Sequence, residues 1–376
     1  MKFILKILFF LLPLYLLLGC SNNNSTNIEG EIIQNKYSTG FEIIKDKNGF
    51  ILNIKDRFSK SGINVDTYYL RTDNSGNSNK STIQIPIQKA ICLSTTHCAF
   101  ISAIGETETI KGISGIDYIY NTKILELIEQ GEITEIGYDK QINYEKIISL
   151  NPDVVFAFGV DNNSMSSYQK LNNIGIPVIY VGDFLESKPL GRTEWIKFFG
   201  CFYDKLDYTV EYFDSIEKCY NSLLNKKNIN ISEKPEILVG LPWKGTWWVP
   251  GGDSFFSNYI NDAGGNYIYG NNNKSESIPY TIEEIFLTAQ NADIWLHPNA
   301  AADKNQILMT DERLKNFSPY DKSRIYNNNK RTSDLGGNDF WESGIIHPDI
   351  ILRDLQLIFY SNQNSNDSLY YYKELY

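Results

Sequence analysis

A helix-turn-strand unit occurs twice in this 376-residue sequence and constrains the fold more than any other feature. The first copy, NYEKIISLNPDVVFAFG, covers residues 143–159, and the second, TIEEIFLTAQNADIWLHPN, covers residues 281–299. Each copy begins as a short apolar helix with an acid in its first turn, and a polar break and a run of strand residues follow. Strands that alternate with helices predict a parallel sheet covered by helices. Two distant copies therefore predict two similar Rossmann-like α/β lobes.

The segment between the two copies predicts a long connecting helix. Apolar residues recur there with a period near 3.6, and only Gly200 interrupts the stripe. The predicted helix covers residues 191–227, and its apolar stripe of about 34 residues would span roughly 50 Å at 1.5 Å per residue. We therefore expect one rigid helix between an N-terminal lobe (residues 86–190) and a C-terminal lobe (residues 235–362). Because ligands of open α/β sheets bind at the carboxyl ends of the strands, two facing lobes predict a cleft.

The N-terminal part of the chain predicts export and a small β-rich extension. Residues 1–19 have the charged start and short apolar run of a signal peptide, and LLGC resembles a bacterial lipobox that ends on Cys20. We expect Cys20 to be lipidated, residues 20–36 to form a polar tether, and the protein to lie in the cell envelope facing the periplasm. An uncleaved anchor or an ordinary signal peptide are the alternatives. Short strands and an Asn48-Gly49 hairpin signal predict the β-rich extension over residues 37–85.

Charge and motifs bear on the class of function. The net charge is −10 and no run of Lys and Arg occurs, which argues against a nucleic-acid partner. The sequence contains no Gly-x-Ser-x-Gly, His-Glu-x-x-His or phosphate-loop motif, so we expect no enzyme. A triad of Ser94, His97 and an unspecified acid is the weak enzymatic alternative. The four cysteines after Cys20 match no metal motif; disulfides stay possible, and free buried thiols are the favoured interpretation.

Candidate ligand-binding residues follow the predicted strands. Aromatic residues make up 14% of the chain, and several cluster in loops, where they either bind a ligand or pack into the core. The histidines after two strands could ligate iron or cobalt, or they could only donate hydrogen bonds. The candidates are Ser94, Thr95, Thr96, His97, Tyr118, Tyr120, Trp243, Trp247, Trp248, His297, Phe340 and Trp341.

Four segments in chain order resemble the substrate-binding proteins of ABC importers for iron complexes and vitamin B12. They are LSTTHCAFISAIG, GYDKQINYEKIISLNPDVVFAF, FLESKPLGRTEWIKFFG and WWVPGGDSFFSNYINDAGG, and the resemblance covers about residues 86–362. It implies that an iron complex, a ferric siderophore or haem, binds between the lobes of a monomer without a cofactor of its own. It also implies an ABC permease in the inner membrane as partner. The alternatives are a corrinoid ligand, a cleft hydrolase, and a structural or adhesive lipoprotein.

The resemblance also implies a role for the repeated acids. In similar proteins one glutamate of each lobe docks onto arginines of the permease, and Glu145 and Glu283 match those positions. Glu284 is the adjacent alternative in the second lobe. Two carboxylates on separate lobes would give charge-assisted recognition at two points. The competing interpretation is that each acid only stabilises the positive end of its helix dipole.

Overall fold

A computed structural model describes most of the chain, namely residues 30–55, 65–73, 81–138, 141–158, 168, 170–225, 234–360 and 369–376. The predicted signal peptide and the lipidation site Cys20 lie outside these residues. Within the described ranges, no helix is both long and apolar enough to cross a membrane.

A five-stranded sheet precedes the two lobes, and its strands lie side by side in chain order. All its pairings are antiparallel except the last, which is parallel. Its strands are β1 (Glu31–Ile33), β2 (Phe41–Asp46), β3 (Gly49–Lys55), β4 (Val65–Arg71) and β5 (Thr82–Gln84). The β-rich extension is thus present. Strand β1 lies inside residues 20–36, the segment predicted to be a tether, and it pairs with β2 of the sheet. The tether therefore cannot continue to residue 36.

The N-terminal lobe is a parallel five-stranded sheet with the order β10-β9-β6-β7-β8. Its strands are β6 (Ala90–Cys92), β7 (Ile110–Ile113), β8 (Thr134–Glu135), β9 (Val154–Ala157) and β10 (Val178–Tyr180). Its helices include α1 (Thr95–Ala103), α2 (Thr122–Glu129) and α3 (Tyr144–Leu150). The central strands are fully buried, since helices and neighbouring elements cover both faces of the sheet.

Three helices, α4 (Pro189–Thr193), α5 (Trp195–Phe202) and α6 (Leu206–Asn225), make the connection between the lobes. The predicted continuous helix over residues 191–227 is therefore corrected, although its apolar stripe is helical on both sides of a break. At the break, Asp204 has a left-handed φ of +53°. Thr209 of α6 packs so closely on Gly200 of α5 that a Cβ at Gly200 would collide with it. Gly200 thus allows the two helices to turn against each other.

The C-terminal lobe repeats the arrangement with the sheet order β13-β11-β15-β16-β17, in which only the last pairing is antiparallel. Its strands are β11 (Glu236–Val239), β12 (Trp247–Val249), β13 (Asn266–Tyr267), β14 (Ile278–Tyr280), β15 (Ile294–Leu296), β16 (Ile325–Asn327) and β17 (Lys373–Glu374), with β12 and β14 forming a separate ribbon. Its helices are α7 (Phe255–Ala263), α8 (Ile282–Ala289), α9 (Lys304–Thr310), α10 (Ser318–Asp321), α11 (Asp339–Glu342) and α12 (Pro348–Tyr360).

The chain end belongs to this lobe, which corrects the predicted limit at residue 362. Tyr371 and Tyr372 are fully buried, and β17 extends the sheet. Two α/β lobes, a helical connection and a β-rich extension together confirm the predicted fold class.

Two buried carboxylates attach the extension to the connection between the lobes. The carboxylate of Glu194 accepts hydrogen bonds from the backbone amides of residues 36, 37 and 38 at 2.8–2.9 Å. It also accepts one at 2.7 Å from the ammonium of Lys197, which is itself buried. Glu186 accepts hydrogen bonds from the Ser38 hydroxyl and the Gly40 amide. Because buried carboxylates are costly unless fully paired, these contacts fix the extension in place.

All four cysteines of the described chain are free thiols, and Cys92, Cys98 and Cys201 are buried as expected. Cys219 is exposed, which differs from the expectation because its position on α6 faces away from the apolar stripe.

Candidate functional site

A cavity of about 600 Å³ lies between the two lobes. The N-terminal lobe contributes Leu93, Ser94, Thr95, Ser114, Tyr118, Tyr138 and Phe158. The C-terminal lobe contributes His297, Asn299, Ala300, Asn328, Asn329, Thr332, Gly336, Asn338 and Trp341. Several of these residues directly follow the strands β6, β7, β9, β15 and β16. The cavity is therefore at the carboxyl ends of both sheets, where open α/β sheets bind ligands.

The first loop of the N-terminal lobe reaches the cavity through Ser94 and Thr95. The Ser94 hydroxyl caps α1, because it accepts a hydrogen bond from the backbone amide of Thr96 at 3.3 Å. The Thr95 hydroxyl donates to the carbonyl of Trp341 in the other lobe at 3.3 Å. The structure thus brings together Ser94, Thr95 and Trp341 at one end of the cavity.

His297 lies at the cavity wall with a left-handed φ of +53°. Its Nε2 is 2.7 Å from the hydroxyl of Tyr372, and its ring centroid is 4.1 Å from that of Phe256. Burial among these rings lowers the pKa of His297 to about 3, so the imidazole is neutral at pH 7. Tyr372 was missed by the sequence analysis; the run YYYKELY at the chain end was the available signal.

His97 does not reach the cavity, which corrects the expectation for this residue. It is fully buried with its ring 5.9 Å from Phe199 and 6.3 Å from Phe156, centroid to centroid. No side chain is hydrogen-bonded to either ring nitrogen, and burial lowers the pKa of His97 to about 3. Because α1 starts at Thr95, residue 97 points inward from its first turn. The Ser94–His97 pair needed for a hydrolase triad is therefore not formed.

The three clustered tryptophans of the C-terminal lobe lie outside the cavity lining. Trp247 is fully buried, stacks on Trp295 at 5.6 Å and donates its indole N–H to the carbonyl of Val239. Trp243 and Trp248 are exposed, at 61% and 50%. The expectation that this cluster lines the cleft is corrected: β12 turns away to pair with β14, and its alternation buries one tryptophan and exposes the next.

Three further candidates lie beside the cavity. Thr96 and Phe340 border a small adjoining pocket of about 50 Å³. Phe340 is buried under His297 at a ring distance of 5.2 Å. The ring of Tyr120 lies 5.0 Å from the guanidinium carbon of Arg331. Tyr118 itself lines the cavity, half exposed, with its ring 5.1 Å from that of Tyr138.

Asparagines contribute much of the lining from the C-terminal lobe, and the sequence analysis missed them. Asn328 and Asn329 directly follow β16, and Asn327 ends that strand with its amide group bonded to the carbonyls of residues 299 and 301. The run of three asparagines at residues 327–329 was the available signal. Within the described ranges, no group of three or more His, Cys, Asp or Glu side chains could hold a metal ion.

A carboxylate of the C-terminal lobe crosses to the N-terminal lobe at the edge of the cavity. Glu342 accepts hydrogen bonds from the backbone amides of Tyr120 at 2.7 Å and Asn121 at 3.1 Å. Nearby, Gly337 lies against the carbonyl of Ile119 so closely that a Cβ there would collide with it. Burial raises the pKa of Glu342 to about 7 despite the two amide donors. The lobes are therefore in direct contact through a buried, titratable group.

We expect the Glu342 carboxyl to make stability fall as the pH rises. Its raised pKa favours the protonated form in the folded protein, so its contribution is fully present below the unfolded pKa, near 4.3, and is lost as the pH passes through about 7. At 1.36 kcal/mol per pKa unit, the change is roughly 4 kcal/mol. Urea unfolding of wild type and Glu342→Gln from pH 4 to pH 8 isolates this effect from other titrating groups. Parallel pH profiles for the two proteins would contradict the assignment.

The two repeated acids lie at equivalent places in the lobes. Glu145 is exposed in the first turn of α3, and Glu283 is exposed in the first turn of α8. Each helix leads into a strand whose carboxyl end borders the cavity, so each helix starts on the cavity side of its sheet. Glu284 closes a capping box with Thr281, whereas Glu283 accepts a hydrogen bond from Arg313 at 2.7 Å. That guanidinium lowers the pKa of Glu283.

Comparison with known proteins gives a family match, one relative by sequence and two solved structures with a similar fold. Residues 91–332 match the sequence profile of a family described as periplasmic binding protein. The uncharacterized lipoprotein MJ0878 of Methanocaldococcus jannaschii is 27% identical over 293 residues, which are 75% of this chain and 67% of that protein.

Two solved structures share the fold. One is a possible iron-binding periplasmic solute-binding protein from Staphylococcus epidermidis, with a TM-score of 0.56 and 20% identity over 73% of this chain and 100% of that one. The other is the vitamin B12 binding protein BtuF of Vibrio cholerae, with a TM-score of 0.51 and 13% identity over 73% of this chain and 97% of that one.

Proposed function

Because this chain belongs to the periplasmic binding protein family, we propose that it is the lipid-anchored solute-binding component of an ABC importer. It captures an iron complex, a ferric siderophore or haem, between its lobes and delivers it to the permease. The ligand is a metal complex rather than a resident cofactor of the protein. A corrinoid is the second candidate for the ligand, and the fold shared with a vitamin B12 binding protein favours it as the alternative.

The observation that carries the proposal is the interlobe cavity. Its volume of about 600 Å³ suits a bulky organic ligand, and both lobes contribute aromatic and hydrogen-bonding side chains to it. The half-exposed rings of Tyr118 and Trp341 face this space from opposite lobes. Aromatic side chains that stay partly exposed at a cavity offer a ligand large apolar contact area.

Envelope attachment and permease docking complete the proposal. The lipobox-like LLGC that ends on Cys20 supports a lipid anchor, and the chain resembles a protein named as a lipoprotein. Exposure of Glu145 and Glu283 on the cavity side of their sheets supports docking through these acids. The hydrolase alternative loses its support because His97 is fully buried and neither of its ring nitrogens is hydrogen-bonded to Ser94.

The direct test is to identify what the protein carries. Small molecules released from natively purified protein are analysed by mass spectrometry, and bound metal is measured in the same sample. We expect a metal-containing compound in near-stoichiometric amount. A stoichiometric ligand without metal, such as a peptide or a sugar, would contradict the proposal.

Trp341 is the tryptophan whose loss should weaken binding of a metal complex. Removing its ring takes away stacking and buried area at the cavity, which we expect to cost more than about 1 kcal/mol of binding free energy. Binding is titrated by quenching of tryptophan fluorescence for Trp341→Ala and for the control Trp248→Ala, whose ring is exposed outside the cavity. Equal losses in both variants would place the ligand elsewhere.

A further inference from the structure

A small pocket of about 50 Å³ adjoins the interlobe cavity, and Trp341 borders both spaces. The N-terminal lobe contributes Thr96 to this adjoining pocket, the helical connection contributes Arg192, and the C-terminal lobe contributes Tyr259. The other lining residues in the described part of the chain are aliphatic, aromatic or glycine. The adjoining pocket thus sets one cation and two hydroxyl groups against a largely apolar wall.

Arg192 brings a largely buried guanidinium to this pocket. Its side chain is 15% exposed, and no residue in the described ranges accepts a hydrogen bond from it. Only its Nε is fully enclosed, so the two terminal nitrogens keep accessible surface. The Oδ2 atom of Asp183 lies 3.7 Å from Nη2, which is close enough for an ion pair but too long for a hydrogen bond. Asp183 therefore offsets charge and leaves the N–H donors of the guanidinium free.

Tyr259 supplies an unpaired hydroxyl beside this guanidinium. The residue is 3% exposed, and nothing among the described residues is hydrogen-bonded to its hydroxyl. The oxygen is not fully enclosed either, so it reaches the adjoining pocket. Burial raises the pKa of Tyr259, and the charge of Arg192 opposes this rise, which places the two groups near each other. Because buried hydroxyls are nearly always paired, these two neighbouring donors indicate an acceptor from outside the chain.

We propose that the adjoining pocket is a second binding site, which takes a small carboxylate with a short apolar tail, such as acetate. One carboxylate oxygen accepts from a terminal nitrogen of Arg192, and the other accepts from the Tyr259 hydroxyl. The tail packs against the aromatic wall that includes Trp341. This site requires neither a particular ligand in the interlobe cavity nor the importer function.

The size and lining of the pocket favour a carboxylate over water. One water needs about 10–15 Å³, so the space holds about four non-hydrogen atoms, the number in acetate. Separate waters would need roughly two to four polar partners each, and the lining has few to give, since the Thr96 hydroxyl is already 3.0 Å from that of Ser94. A carboxylate turns its oxygens to Arg192 and Tyr259 and its methyl group to the rings, so each part meets a group of matching polarity.

Three small molecules of graded charge and size test the site on the purified protein. Acetate, its neutral counterpart acetamide and the bulkier carboxylate pivalate are titrated at constant ionic strength, and saturation transfer from the protein to their methyl protons is measured by NMR. We expect acetate to bind saturably and acetamide to bind at least about tenfold more weakly, because it lacks the charge-assisted hydrogen bonds. Pivalate should be excluded by its volume. Absence of saturable acetate binding, or equal binding of acetate and acetamide, overturns the inference.

Variants locate the acetate at the two donors. Tyr259→Phe removes only the hydroxyl, and Arg192→Lys keeps the charge but removes the planar fork of donors, so each should weaken acetate at least about fivefold. Tyr326→Phe makes the same change at a buried tyrosine outside both lined spaces and should leave acetate affinity unchanged. Circular dichroism checks the fold of each variant, and Tyr259→Phe decides the matter if Arg192→Lys does not fold. Unchanged acetate affinity in Tyr259→Phe overturns the inference and leaves the importer function intact.

Discussion

The double variant Glu145→Lys, Glu283→Lys should keep its ligand and lose transport. Both side chains are exposed in first helical turns on the cavity side of their lobes, and neither lines the cavity. Reversing them would set like charges against permease arginines, a penalty of several kcal/mol at a formed contact. Exposed helix positions typically change folding stability by only about 0.5 kcal/mol. Transport in reconstituted vesicles and ligand titration of the free protein measure the two effects separately.

A control with the same change in charge separates docking from net charge. Glu129 in the last turn of α2 and Glu211 of α6 are exposed acids outside the two repeated units, and their reversal to Lys should leave transport near normal. Full transport by the Glu145/Glu283 variant would show that these acids only stabilise the positive ends of their helix dipoles. Lost ligand binding in that variant would place the acids on the wrong face of the lobes. If Glu283 docks as proposed, its hydrogen bond with Arg313 would be exchanged for one with an arginine of the permease.

Glu194→Ala should destabilise the fold by about 3–5 kcal/mol, the usual cost of removing one partner of a buried ion pair. The change would leave the Lys197 ammonium, whose side chain is 3% exposed, without its carboxylate. It would also strand the three backbone amides of residues 36–38 that donate to Glu194. Urea unfolding followed by circular dichroism gives the free energy of unfolding.

Asp207→Ala is the matched control for this prediction. The Asp207–Lys45 ion pair also joins the extension to the helical connection, but it is exposed, at 86% and 41% for the two side chains. Exposed pairs contribute about 0–1 kcal/mol, so we expect little change. Equal losses in both variants would show that the extension is held by its apolar contacts, such as Phe41 against Trp195, rather than by the buried carboxylates.

The periodicity of apolar residues was sufficient to predict the two lobes, because the helices and strands of each lobe form from residues that are close in the sequence. A helix that leads into a strand sets the direction of both, so the units at residues 143–159 and 281–299 already indicate which edge of each sheet borders the cavity. Ser94 and Asn143 likewise cap their helices as local side-chain chemistry dictates. Local pattern also indicated Ser94, Thr95 and Tyr118, which the structure places at the cavity.

Residues that are neighbours in the sequence have different environments in the packed lobes. Thr95 reaches the cavity and His97 points into the core, because two residues in a helical turn face different sides. Trp247 and Trp248 face opposite sides because successive side chains of a strand alternate. Only the position of the β12–β14 ribbon decides which of the two is buried. The break between α5 and α6 depends on Thr209 packing against Gly200.

By itself, the sequence determined the two α/β lobes, the β-rich extension and the sheet edge that carries the site, since each follows from periodicity and turn chemistry along the chain. Only the tertiary structure decided that Tyr372 meets His297 across 75 residues and that Glu342 meets the backbone of Tyr120 across 222. Such contacts depend on how distant elements pack in three dimensions, and no local pattern of residues encodes that packing.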